Sequence, residues 1–141
     1  AVIQMALNIL SQRNAIGESI AQSSDAADYL RLKLSGYKNE VFCVIFLDRR
    51  HRILAFEELF SGTIDGASVY PRVVVQRVME HNASAVVFAH NHPSGIAEPS
   101  EADKFVTKRL IDAMSLIDVR VLDHIVVGDS GTTSFAECGL L

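Results

Sequence analysis

The alternation of apolar and polar positions divides the chain into short helix-like and strand-like segments. Residues 2–13 carry apolar side chains at Val2, Ile3, Ala6, Leu7, Ile9 and Leu10, which is helical spacing. Ser24 reads as the N-cap of a second helix, with Asp25 in its first turn, a run to about Ser35 and Gly36 as the stop. Residues 41–48 are almost continuously apolar and rich in β-branched and aromatic side chains, the pattern of a strand buried on both faces. A turn at Asp48–His51 leads into a returning strand, Arg52–Phe60, and Gly62 and Gly66 mark a loop.

Further along, Pro71 stands as the first residue of a helix, and Val73, Val74, Arg77 and Val78 follow at helical spacing to about His81. Ser84–Ala89 is the next buried strand, and Asn91 to Pro99 reads as a loop. Ser100 caps a helix over roughly 101–115. Val119–Val127 is a strand, Asp129 to Gly131 a turn and Thr132–Ala136 a last strand. The order α-α-β-β-α-β-α-β-β predicts an α/β fold, a mixed β-sheet with helices packed on its faces.

Composition adds bounds rather than chemistry. At 141 residues the chain suits one domain and buries roughly two-thirds of its unfolded surface without staples. Apolar residues at 49% and charged residues at 21% exclude a disordered chain, and no apolar run is long enough for a membrane span. Cys43 sits inside an apolar run and reads as a buried free thiol; it and the distant Cys138 form no secreted-type framework. No basic stretch precedes the first apolar residues, as a signal peptide would require, so the expected compartment is the cytoplasm. The net charge of -4 makes nucleic acid an unexpected partner. The densest basic run, Arg49 to Arg52, reads as a solvated turn.

One segment carries chemistry. His90 and His92 stand two apart at a strand end, so both imidazoles project from one face with Cα atoms about 6.5 Å apart. Zinc takes ligand atoms at about 2.0–2.2 Å in a tetrahedron, so a third ligand must come from another element. Asp103, in the first turn of the next helix, is the best-placed carboxylate, and the loop with Pro93, Gly95 and Pro99 turns the chain back to deliver it. Each half also has a structural reading. A strand-end histidine can be a hydrogen-bonded core residue, and Ser100 with Asp103 resembles a capping box. Two histidines and one carboxylate leave one zinc position open, as a catalytic site needs.

His-x-His-Pro followed by Ser-x-x-Asp, with ten residues between His92 and Asp103, resembles the JAMM motif of the JAB/MPN metalloprotease domain. The fuller string from His90 to Gly95, with Pro99, Ser100 and Asp103, looks like the RadC-type branch. Supporting matches are Glu57 to Gly62, Tyr70-Pro71-Arg72 and Asp123-His124-Ile125. The resemblance implies a JAB/MPN-like, cytidine-deaminase-like sandwich over 37–141, behind an N-terminal helical segment at 1–36. It implies Zn2+ held by His90, His92 and Asp103, and a glutamate on the first core strand that acts on the water. Glu40 fits that position, with Glu57 and Glu58 as rivals on the second strand. Ser100, whose family counterpart sits near that water, is the implied donor to an oxyanion. Asn91 stands where many JAMM proteases carry Ser or Thr, a departure shared with the RadC-type branch.

The function so implied is hydrolysis of a peptide or isopeptide amide in a peptide or protein substrate. The alternatives are a non-catalytic MPN-type binding module and a RadC-type protein associated with DNA repair. Against the last, residues 1–36 lack the Gly-rich helix-hairpin-helix usual upstream in RadC-type proteins. An exposed edge strand over 52–60 is the expected seat for an extended substrate. The remaining candidates read structurally: His51 in a turn, His81 near a helix C-terminus, Arg72 on the surface. His124 reads as a core histidine, with support of the metal residues as its alternative.

Overall fold

The computed structural model describes residues 16–64, 68–93 and 95–141. The helical pattern at 2–13 (Val2, Ile3, Ala6, Leu7, Ile9, Leu10) and the loop glycine Gly66 lie outside them. The elements are α1 (Ser23–Leu34), β1 (Val41–Leu47), β2 (Ile53–Ser61), α2 (Pro71–His81), β3 (Ala85–Asn91), α3 (Glu101–Leu116), β4 (Arg120–Val127) and β5 (Thr132–Ser134). The strands form one five-stranded sheet in the order β2-β1-β3-β4-β5. β3 and β4 are parallel and joined across α3; the other neighbours are antiparallel. This is the mixed sheet expected from the apolar pattern.

Two cores follow from the alternation of side chains on β1 and β3. Cys43, Ile45, Leu47, Val87 and Ala89 face α1, which buries Ala26, Tyr29, Leu30 and Leu34 against them. Phe42, Val44, Phe46, Val86 and Phe88 face the other way, toward Val74 and Val78 of α2 and Val106, Leu110 and Met114 of α3. Every residue of β1 and β3 is buried, which is why both strands read as unbroken apolar runs. Each fully buried side chain of this size contributes roughly 1.5–3 kcal/mol.

Three boundaries differ from the expected ones. The N-cap of α1 is Gln22, not Ser24, and makes no side-chain cap; the Asp25 carboxylate reaches back past it to accept the Ala21 N–H at 3.1 Å. β3 runs on to Asn91, because His90 and Asn91 still pair with Val126 and Val127 of β4. β5 stops at Ser134, where Ala136 N–H turns to the Asp123 carboxylate at 3.0 Å.

Candidate metal centre

The site forms where β3 ends and α3 begins. His90 lies on the last turn of pleat in β3, on the face of Phe42 and Phe88, and is 1% exposed. His92 is just beyond the strand, but its N–H still donates to Val127 O at 2.9 Å. That extra pairing keeps His92 on the face of His90. The chain then turns at Gly95, whose φ is 97° and whose N–H returns to His92 O at 3.0 Å. The loop lies directly on the Gly128 backbone: a Cβ there would meet Gly95 O at 2.6 Å. Glycine at 128 is therefore a steric requirement of the loop.

Asp103 arrives at the third position of α3. Its N–H donates to Ser100 Oγ at 3.0 Å, and its Oδ2 accepts the Ser100 N–H at 2.7 Å, a full capping box. The structural and the chemical readings of this residue thus coexist. Asp103 Oδ1 lies 3.0 Å from His90 Nε2, and Oδ2 lies 3.2 Å from His92 Nε2. The two Nε2 atoms are 3.0 Å apart.

Protonation follows from the partners. His92 Nδ1 lies 2.8 Å from Ile96 O, which can only accept, so Nδ1 carries the proton and Nε2 of the neutral ring is a bare lone pair. His90 Nδ1 lies 2.8 Å from His124 Nε2, and His124 Nδ1 lies 2.5 Å from Thr107 Oγ1. Thr107 in turn donates to Asp103 O at 2.7 Å. Burial pushes His124 well below the ordinary histidine value, with the charge of His90 acting in the same direction. Burial works to raise the Asp103 carboxyl, but hydrogen bonding and charge from His90, with the Ser100 contacts, outweigh it and hold the group well below the usual carboxylate range. The result is an acceptor-rich cluster at 1%, 15% and 3% side-chain exposure for His90, His92 and Asp103.

That donor set fits a cation. Tetrahedral ligand atoms at zinc, with bonds of about 2.0–2.1 Å, stand roughly 3.3–3.4 Å apart. Here the two Nε2 atoms are 3.0 Å apart, and each has its own Asp103 oxygen close by, Oδ1 at 3.0 Å from His90 and Oδ2 at 3.2 Å from His92. His90, His92 and Asp103 are also the group among the described residues whose ligand atoms converge as a metal site needs.

The other expected residues separate clearly. In the β1–β3 register Phe42 faces His90, so continuing it by two residues sets Glu40 opposite His92, on the same face. Glu40 Oε2 accepts the Ile64 N–H at 2.8 Å. Glu57 shares that sheet face but is gripped by Arg77 at 2.7 Å through both oxygens, with His81 at 3.3 Å. Glu58 pairs with Cys43, on the α1 face, and accepts the Tyr37 hydroxyl. His51 is in the β1–β2 turn, with φ at 59°. Cys43 is buried and free, and Cys138 is exposed and free.

Two features escaped the sequence reading, and a third had been weighed only as an alternative. Asn91, buried between the histidines, accepts the Val41 N–H at 2.7 Å through Oδ1 and donates to Asn39 O at 3.0 Å through Nδ2, tying the start of β1 to the end of β3. Thr107 had no signal beyond lying one turn after Asp103. His124 is a core histidine, as expected, yet it also bonds directly to His90.

Fold and cluster together define a three-layer α/β domain with a His–His–Asp group able to take one metal ion at the carboxyl end of β3. Residues 20–140 match the RadC-like JAB domain family, and the chain belongs to that family. Its five-stranded mixed sheet is consistent with a JAB/MPN-like fold. The chain is similar to a UPF0758 protein of Vibrio cholerae, at 56% identity over 99% of this chain and 88% of the relative. UPF0758 proteins of Thioalkalivibrio sulfidiphilus and Nitrosococcus oceani are 56% and 55% identical over the whole chain, which spans 63% of each of them. No helix among the described residues is long and apolar enough to cross a membrane.

Proposed function

We propose that this domain is a zinc-dependent hydrolase of the JAMM kind that cleaves a peptide or isopeptide amide. The observation that carries the proposal is the convergence of His90, His92 and Asp103, with both Nε2 atoms and a carboxylate within 3.2 Å of one another. Zinc held by these residues supplies a Lewis acid and lowers the pKa of water toward about 7.

The chain's own groups then divide the work. Glu40, across the sheet from His92, takes the proton from the attacking water through Oε1 and returns it to the leaving amine. Its Oε2 is held in place by Ile64 N–H. The Ser100 oxygen is occupied as a helix cap, but its O–H remains free to donate to the tetrahedral oxyanion. Glu57 and Glu58 are bound to Arg77 and Tyr37 and leave that proton transfer to Glu40. A cavity of about 120 Å³ lined by Arg31, Tyr37, Asn91, His92 and Asp129 meets the cluster at His92. β2 is an edge strand whose start is bonded to residues 17–19, and the stretch beyond Ile53 is the seat for an extended peptide.

Metal analysis of the purified protein and of His92→Ala, together with cleavage of a peptide library, tests this. Wild type is expected to hold one zinc per chain and His92→Ala far less. Glu40→Gln is expected to keep zinc and lose roughly a hundredfold or more in turnover. A wild type with no affinity for zinc refutes the proposal; a Glu40→Gln variant cutting at the wild-type rate refutes the assigned base.

A further inference from the structure

Behind the cluster lies a closed ring of polar contacts that none of the proposed chemistry uses. It runs from Asp103 O to Thr107 Oγ1 at 2.7 Å, from Thr107 Oγ1 to His124 Nδ1 at 2.5 Å, and from His124 Nε2 to His90 Nδ1 at 2.8 Å. It returns through His90 Nε2 to the Asp103 carboxylate at 3.0 Å. Three elements contribute: α3 gives Asp103 and Thr107, β4 gives His124, and β3 gives His90. His124 is fully buried, its ring stacked on Phe135 at 4.6 Å and edge-on to Phe42 at 5.7 Å.

The partners fix the protons from Thr107 as far as His90 Nδ1. A helix carbonyl only accepts, so the single hydroxyl proton of Thr107 goes to Asp103 O. Thr107 Oγ1 is then an acceptor toward His124, whose Nδ1 must carry a proton. A fully buried imidazole is neutral, so with its proton on Nδ1 the His124 Nε2 is a bare acceptor. It takes the proton of His90 Nδ1. The Nε2 of His90 is then the ring atom aimed at His92 and Asp103, the place an ion takes.

We propose that Thr107 and His124 are positioning residues that fix His90 as its Nδ1–H tautomer and so keep its Nε2 free to ligate an ion. The usual partner behind a metal-binding histidine is a carboxylate, a carbonyl or water. Here it is a neutral imidazole, and the carboxylate next to it in sequence is used elsewhere. Asp123 accepts from His124 N–H at 2.7 Å, Ser134 Oγ at 2.5 Å and Ala136 N–H at 3.0 Å, all on the outer side of β4. Direction therefore enters the ring from the Thr107 hydroxyl, one turn along the helix that delivers Asp103. Two ligands on different elements are locked to each other through the protein before any ion arrives.

The functional consequence rests on the zinc reading, whereas the tautomer does not, and the experiment separates them. Two-bond ¹⁵N–¹H correlations on the zinc-free protein report which nitrogen of His90 carries the proton, and chelator competition gives zinc affinity. In wild type His90 is expected as the Nδ1–H form. Thr107→Val keeps the shape but removes the acceptor, so the His124 proton moves to Nε2 and drives the His90 proton onto its own Nε2. Zinc affinity is then expected to fall about ten- to a hundredfold. Thr107→Ser restores the hydroxyl without the methyl and is expected to stay within about twofold of wild type. A His90 with no proton on Nδ1 in zinc-free wild type overturns the proposal, as does a serine variant that falls as far as the valine one. If wild type ignores zinc but shows the Nδ1–H form, the hydrolase proposal fails and the relay stands.

Discussion

Replacing Asn91 by alanine tests how the site is held together. Its side chain turns away from the histidines on either side and grips the start of β1 instead. The orientation of the amide is fixed, because Val41 N–H needs an acceptor and Asn39 C=O needs a donor. Asn91 is 4% exposed and Val41 6%, so the alanine variant leaves the Val41 N–H buried without a partner. That costs about 1–3 kcal/mol, and losing the second bond, to a carbonyl on an exposed residue that water can reach, adds about 0.5–1 kcal/mol. The sum is roughly 1.5–4 kcal/mol, a fall in Tm of roughly 5–16 °C for a domain of this size. Urea unfolding followed by far-UV circular dichroism measures it directly. The functional effect should be selective. Glu40 immediately precedes the residue that is released, whereas His90, His92 and Asp103 keep their own anchors. Zinc content should therefore hold while turnover drops. A cost under about 0.5 kcal/mol would refute the buried-bond reasoning, and loss of zinc together with activity would refute the separation of ligand support from base support.

Two further outcomes follow from perturbed groups away from the cluster. Hydrogen bonding from Arg77, with His81 beside it, holds the Glu57 carboxyl below its ordinary value, so this interaction stabilises the protein above about pH 4 and is lost as pH falls through the folded-state value. Glu57→Gln should accordingly cost roughly 0.5–1 kcal/mol near pH 7 and almost nothing in strong acid; urea midpoints measured across that range would show a constant difference if the pair were not ionic. Burial, with the charge of Glu58 second, pushes the Cys43 thiol up to about 12, while Cys138 is exposed. An aromatic disulfide reagent at mild alkaline pH should label one thiol per native chain and the second only after unfolding. Rapid labelling of both would show that β1 opens far more readily than its packing implies.

What the sequence disclosed, and what it withheld, divides along the range of the interactions. β1 and β3 were legible because burial on both faces leaves an unbroken apolar run. The His90, His92 and Asp103 cluster was legible because one strand end, one short loop and one helix turn carry it. Glu40 entered only through the family resemblance, since its place depends on how β1 lies against β3. His124 shows why such placements resist a reading by pattern. β3 and β4 start in step, with Val86 beside Val121, but the next pair is Val87 beside Asp123, so β4 carries one extra residue at Leu122. Without that bulge the side chain of His124 would fall beside Ala89, on the α1 face. With it, His124 falls beside Phe88 and reaches His90. A shift of one residue in a parallel pairing thus decides whether a buried histidine is packing for one core or the support of a metal ligand in the other, and nothing in the local run from Arg120 to Val127 records where that shift occurs.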